Sequence, residues 1–147
     1  MATATAVPHR TLALEKTNSV SAPVIFLGRL SFVLIFLMAG FTHMAKQTIA
    51  YAASQGVPAA SLLVPLSGVI ALIGSLSILL GYRAKLGAWL IVLFLIGVTP
   101  LHKFWGVSDP MMQQVQMAMF MKNIAMLGGA LLITQFGSGP WSVDSRK

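Results

Sequence analysis

The sequence contains no cysteine, and only three of its 147 residues are acidic. Without cysteine, the chain cannot itself exchange disulfides, form a thiolate nucleophile or ligate an iron–sulfur cluster through thiolates. Charged residues of both signs make up 9% of the sequence, whereas soluble domains carry about 25%. So little charge cannot cover a water-exposed surface, and the composition therefore indicates an integral membrane protein.

The apolar residues are gathered into four long stretches. Hydrophobic residues make up 56% of the chain, and the mean hydropathy is +0.82. Each stretch has about 16–25 residues, which is enough to cross a bilayer. Because lipid offers no hydrogen-bond partner to the backbone, runs of this length must be helical. The sequence predicts an all-α fold, an integral membrane four-helix bundle, with spans at about residues 24–44, 60–80, 86–101 and 112–136.

The segments around these spans are more polar. Residues 1–20 are predicted to form a flexible N-terminal tail, residues 21–137 the transmembrane domain and residues 138–147 a C-terminal tail. The segment Ala45–Gln55 is less apolar than the span before it. Two interpretations of this segment stay open, because it could prolong the first helix or lie at the membrane interface.

The net charge of +7 is distributed over the ends of the spans. No run of basic residues and no recognition motif accompanies it, so we expect no nucleic-acid partner. One side of the bundle should carry most of the cations, namely Arg10, Lys16, Arg83, Lys85, Arg146 and Lys147. Cytoplasmic loops of membrane proteins are enriched in Lys and Arg. The sequence therefore predicts that both termini are cytoplasmic.

Polar side chains within or beside the spans mark a candidate binding site. At about 100° per residue, one stripe of the first span holds Arg29, Val33, Phe36, Gly40, His43 and Gln47. Ionisable residues inside a membrane are functional candidates by default. We expect a group near the outer leaflet to bind an anion, or the polar head of a lipid-soluble molecule such as a quinone: His43, Lys46, His102, Lys103, Lys122 and Asn123. In the alternative interpretation, the lysines extend to the interface, the histidines bond to backbone carbonyls, and the site binds only lipid headgroups.

Small residues predict where helices approach each other closely. The predicted packing positions are Gly40, Ser67, Ala71, Gly74 and Gly81. Histidines and methionines could suit Cu(I), but methionine is also a common filler of apolar cores, and no metal site is predicted. No catalytic constellation, phosphate loop or dinucleotide fingerprint is present. Redox chemistry would require a bound organic cofactor, with quinone the one considered, or a partner subunit.

Six short segments together form a recognisable pattern: Gly28-Arg29-Leu30, Met38-Ala39-Gly40-Phe41, Tyr51-x-x-Ser54-x-Gly56-Val57-Pro58, Gly81-Tyr82-Arg83-Ala84-Lys85-Leu86-Gly87, His102-Lys103-Phe104-Trp105 and Lys122-Asn123 followed by Gly128-Gly129. In their order and spacing, these segments resemble the DoxX family of small four-span bacterial membrane proteins. The resemblance covers roughly residues 23–136. It implies a four-helix bundle in the bacterial cytoplasmic membrane and a link to redox metabolism, since some relatives are subunits of thiosulfate:quinone oxidoreductase.

The sequence departs from the family pattern in the second span. Family members usually carry a glutamate in an E-L-x-G-G pattern, and here the stretch reads Ala71-Leu72-Ile73-Gly74-Ser75. An ion pair between Lys122 and that glutamate, or a carboxylate proton relay, is therefore absent. The departure favours a role in which packing rather than turnover is retained.

These observations lead to three functional expectations. The first is a membrane subunit or accessory protein that docks and stabilises a larger, redox-linked assembly, with protein partners or a homo-oligomer in the bilayer. The second is a quinone-reactive subunit of an oxidoreductase, of the thiosulfate:quinone type. The third is an anion or small-solute transporter, which four spans could form only as an oligomer.

Overall fold

The computed structural model describes residues 21–146, and every regular element in that range is a helix. We number the α-helices α1 (Ala22–Thr42), α2 (Lys46–Ser54), α3 (Ala60–Leu80), α4 (Ala84–Val98) and α5 (Pro110–Phe136). Short 3₁₀ turns follow α4 at Thr99–Leu101 and close the described range at Asp144–Arg146. The predicted N-terminal tail lies outside the described residues.

Four helical segments are long and apolar enough to cross a membrane. They are Ala22–Thr42, Ala60–Leu80, Ala84–Leu101 and Pro110–Phe136. At 1.5 Å per residue, these segments span about 27–40 Å, against about 30 Å of hydrocarbon. At most 44% of the apolar stretch of any of them is buried inside the chain, which leaves broad apolar faces for lipid. For residues 21–146, the prediction of an all-helical fold with four helices long and apolar enough to span a membrane is confirmed.

Local sequence explains where these helices begin and end. Pro110 occupies the first turn of α5, and the Asp109 carboxylate accepts a hydrogen bond from the Met112 amide at 2.8 Å. Both features are favourable at a helix N-terminus. Gly81 ends α3 with a φ of +65°, a left-handed conformation that glycine adopts without strain. The chain then reverses directly into α4.

The segment whose position stayed open forms a helix of its own. The chain turns at His43–Ala45, and α2 then packs against α3. Ala52, Ala60 and Val64 form a small buried cluster at this contact. Residues 46–54 therefore do not prolong α1.

Close packing of glycines joins α1 to α3 and α3 to α4. A Cβ atom on Gly68 would lie 2.8 Å from the Gly40 carbonyl oxygen, and one on Gly74 would lie 2.9 Å from that of Gly87. Only glycine permits such approaches. The predicted packing residues Gly40, Ala71, Gly74 and Gly81 are all buried, and Ser67 is half-buried. The buried residues of α1 are the first four of the predicted stripe, Arg29, Val33, Phe36 and Gly40.

The two ends of the bundle differ in character. We call the end that holds the α3–α4 turn and residues 137–146 the tail end, and the opposite one the histidine end. At the tail end, buried Arg29 donates hydrogen bonds to the carbonyl oxygens of Pro140 and Trp141 at 3.3 and 2.5 Å. Asp144 accepts from the amides of Arg83 and Ala84 at 3.1 and 3.3 Å. These hydrogen bonds connect the C-terminal segment to α1 and to the start of α4.

Candidate functional site

A cavity of about 350 Å³ lies at the histidine end, between α2, α3 and α4. We call it the histidine cavity. Its wall is mostly apolar, with Val57, Leu63, Val64, Ile70, Leu93, Phe94, Val98 and Leu101. Its polar side chains are those of His43, Thr48, Tyr51, Ser67 and His102. Ligand pockets typically have volumes of about 300–1,000 Å³ and combine apolar walls with a few polar groups.

His43 is held at the wall by α3. Its Nδ1 lies 2.9 Å from the Ser67 hydroxyl oxygen, and that hydroxyl donates its proton to the Val64 carbonyl at 2.7 Å. Because the Ser67 proton is used in this way, Nδ1 must carry the proton of its own bond to Ser67. Nε2 of the neutral ring then keeps its lone pair for an occupant of the cavity. The ring also packs against Phe94, with centroids 5.3 Å apart.

His102 reaches the same cavity from the end of α4. The 3₁₀ turn containing Pro100 ends the helix, and the His102 amide donates to Thr99 at 3.1 Å. Its Nδ1 lies 3.0 Å from the side-chain oxygen of Gln116 on α5. Since an amide oxygen can only accept, Nδ1 carries the proton here too. Both histidines thus offer Nε2 as an acceptor when neutral, and as a donor when protonated.

The structure brings together only two of the six predicted binding residues. Lys46 and Lys103 are exposed and do not line the histidine cavity. Lys122 is exposed on α5, where its ammonium group lies 3.2 Å from the Met119 sulfur. Asn123 is buried, also outside the cavity wall. Of the six residues, only His43 and His102 therefore meet at one cavity. The three lysines lie on exposed surfaces outside it.

Sequence reasoning did not identify the partners of the two histidines. Ser67 was a predicted packing residue, and Gln116 was not singled out. Ser67 lies 24 positions from His43, and Gln116 lies 14 positions from His102. Such pairs depend on how separate helices pack together. The spacing of residues along one helix does not predict that packing. Tyr51 and Thr48 join the site because α2 folds back over α3, another long-range event.

The site combines two imidazole hydrogen-bond acceptors, His43 and His102, with an otherwise mostly apolar cavity wall. Among residues 21–146, no carboxylate lines the histidine cavity, and its two imidazoles are the described groups of the type that exchanges protons near neutral pH. A flat ring could lie against Phe94 while its polar atoms meet the histidines. An apolar chain attached to that ring would remain among the aliphatic side chains of the wall.

These features define a multi-pass helical membrane protein with an apolar cavity that bears two histidines. The chain belongs to the DoxX family, whose family model matches residues 24–106. It is similar to the inner membrane protein YphA of Escherichia coli (strain K12), at 30% identity over 84% of this chain and 91% of that protein. It is also similar to the inner membrane protein YqjF of the same organism, at 31% identity over 82% and 88%.

The relatives and the apolar helices agree on location. Both relatives are inner membrane proteins, and four apolar spans fit the same setting. The chain is a multi-pass protein of the bacterial inner membrane. No solved structure matches it.

Proposed function

We propose that this protein binds the polar head of a lipid-soluble molecule of the quinone class in the histidine cavity. The observation that supports this proposal is the convergence of His43 and His102 on one apolar cavity of about 350 Å³. A quinone is a flat ring with two oxygen atoms, and it supplies two-electron redox chemistry when bound. A protonated imidazole can donate to a ring carbonyl, and a neutral one can accept from a ring hydroxyl.

A role as a subunit of a membrane complex is suggested by the redox groups that the sequence lacks. The chain has no cysteine, and no dinucleotide fingerprint occurs in the sequence. We infer that electrons reach or leave the bound ring through a partner protein, while this chain holds and orients the ring. We also infer that both termini are cytoplasmic, since the tail end carries Arg83, Lys85 and Arg146. This orientation puts the histidine cavity in the outer half of the membrane.

Replacing His43 or His102 with alanine is expected to weaken quinone binding. Each change removes one hydrogen bond to the head, worth about 1 kcal/mol, and should raise the Kd about fivefold. Titration of the purified full-length protein in neutral detergent with a short-chain ubiquinone would measure this. His9→Ala is a matched control, because it removes a histidine from the N-terminal segment. Unchanged affinity in both cavity variants would contradict the proposal.

A second candidate function is the docking of a protein partner along α5, as a subunit or accessory of a larger assembly. Only 17% of the apolar stretch of α5 is buried inside the chain, the lowest share of the four spans. Lys122 lies about three turns into this helix and is exposed, with a thioether as its contact. An exposed cation at this depth would gain from an acidic or carbonyl-bearing partner helix.

The docking function predicts that a companion protein leaves the membrane together with this chain. Extraction from native membranes in mild detergent should yield a complex at constant stoichiometry, and Lys122→Gln should reduce the companion severalfold. Arg146→Gln, which removes a cation from the tail end, should leave its recovery unchanged. If the wild-type chain migrates alone with its detergent micelle, the docking function fails.

A further inference from the structure

A second cavity, of about 600 Å³, opens at the tail end of the bundle. We call it the tail cleft. It lies between the start of α4, the end of α5 and the C-terminal segment, at the end of the bundle opposite His43 and His102. Residues of different chemistry line it, including Arg83, Lys85, Leu86, Phe136, Ser138 and Asp144. Nothing in the function proposed above uses this cleft.

One serine of the cleft has a hydroxyl that is open to the cleft and makes no hydrogen bond within residues 21–146. As a residue Ser138 is only 6% exposed, but its hydroxyl oxygen is not among the fully buried side-chain atoms. The other two serines of the cleft differ, since Ser142 donates to the Gly139 carbonyl at 2.7 Å and Ser145 to that of Ser142 at 2.8 Å. The Ser138 hydroxyl is therefore free to donate a hydrogen bond to an occupant of the cleft that accepts one.

The charges of the cleft favour an anion. Lys85 and Arg83 line it, and within the described part of the chain neither side chain forms an ion pair. The carboxylate of Asp144 already receives the amides of Arg83 and Ala84 at the beginning of α4. Its charge is thereby engaged by the helix N-terminus. The carbon stem of Lys85 lies 3.5 Å from the Cβ position of Gly137, beside Ser138.

The apolar rim of the cleft indicates where the anion comes from. Phe136 is 82% exposed and Leu86 is 57% exposed, so two large apolar side chains stand beside the cationic groups. Free phosphate has nothing to offer these side chains, whereas the acyl chains of a phospholipid would cover them. Basic pockets between membrane helices are known binding sites for anionic headgroups.

We propose that the tail cleft binds one anionic phospholipid through its phosphate. Lys85 and Arg83 supply the positive charge, the Ser138 hydroxyl donates a hydrogen bond to a phosphate oxygen, and Phe136 and Leu86 contact the acyl chains. The bound lipid would join the end of α5 to the start of α4. The proposal concerns a different end of the molecule from the histidine cavity and does not depend on quinone binding.

Native mass spectrometry of the full-length protein in neutral detergent tests this site. Dioleoylphosphatidylglycerol is expected to bind with a stoichiometry of one, and dioleoylphosphatidylcholine at the same concentration to bind about tenfold more weakly. Lys85→Gln and Ser138→Ala should each weaken phosphatidylglycerol binding about fivefold or more. Arg146→Gln removes the same charge at the same end, but Arg146 does not line the cleft, and its effect should stay below about twofold.

Three results would overturn the proposal. The first is equal retention of phosphatidylcholine and phosphatidylglycerol by the wild-type protein. The second is a Lys85→Gln variant that behaves like Arg146→Gln. The third comes from inorganic phosphate at matched ionic strength: if it displaces phosphatidylglycerol at equal concentration, the ligand is free phosphate and not a lipid.

Discussion

Gly68→Ala is expected to destabilise the bundle by about 1–3 kcal/mol, the usual cost of overpacking. A Cβ atom at position 68 would lie 2.8 Å from the Gly40 carbonyl oxygen and 2.9 Å from the Cβ of His43. Neither atom belongs to the flexible end of a side chain, so neither can move aside independently. The helices α1 and α3 would have to separate. Because the Cβ atom of His43 would be displaced, quinone binding should weaken in the same variant.

Thermal unfolding of the detergent-solubilised protein measures this effect. Gly28→Ala is the matched control, because it lies in α1 and has no atom within 4 Å of its Cβ position. Alanine is favoured over glycine inside a helix by about 1 kcal/mol, so the control should be at least as stable as the wild type. Equal melting temperatures for Gly68→Ala and Gly28→Ala would show that α1 and α3 do not approach each other as closely as described.

The difference between these two glycines shows why the sequence predicts the spans but not their packing. The spans could be predicted because lipid forces long apolar runs to form helices. Gly28 and Gly68 look alike in the sequence, since both lie within long apolar helices. Lipid and protein interior are equally apolar, so hydropathy does not indicate which face of a helix is covered. Gly68 is constrained because Gly40 and His43 lie opposite to it in the folded structure.

The candidate site was predictable to the extent that it consists of rigid polar groups. His43 and His102 stood out as polar residues at the ends of apolar runs, and both line the same cavity. Lysine side chains are long and flexible, so Lys46 and Lys103 can leave a cavity wall for the interface at little cost. The helix-to-helix contacts of Ser67 and Gln116 required the three-dimensional arrangement. Arg29 belongs to the stripe predicted on the first span, but its hydrogen bonds to the C-terminal segment join residues more than a hundred positions apart.

Gly97→Leu is expected to abolish most quinone binding without loss of stability. Gly97 lines the histidine cavity and has no atom within 4 Å of its Cβ position. It lies on the helical face that also presents Leu93, Phe94 and Leu101 to the cavity. A leucine side chain there would enter the space of about 350 Å³ that the ring needs. We expect the Kd for a short-chain ubiquinone to rise about tenfold or more, while leucine's helix propensity preserves the melting temperature.

Gly128→Leu separates occupation of the cavity from a general effect of leucine. Gly128 is exposed on α5, has open space around its Cβ position and does not line the histidine cavity. It should keep wild-type affinity and stability. Gly68→Ala should lose both properties, and Gly97→Leu only the first. A Gly97→Leu protein that binds quinone like the wild type would place the ligand elsewhere, even if the histidine variants weakened binding. Those changes could then act through the lost contacts of His43 with α3 and of His102 with α5.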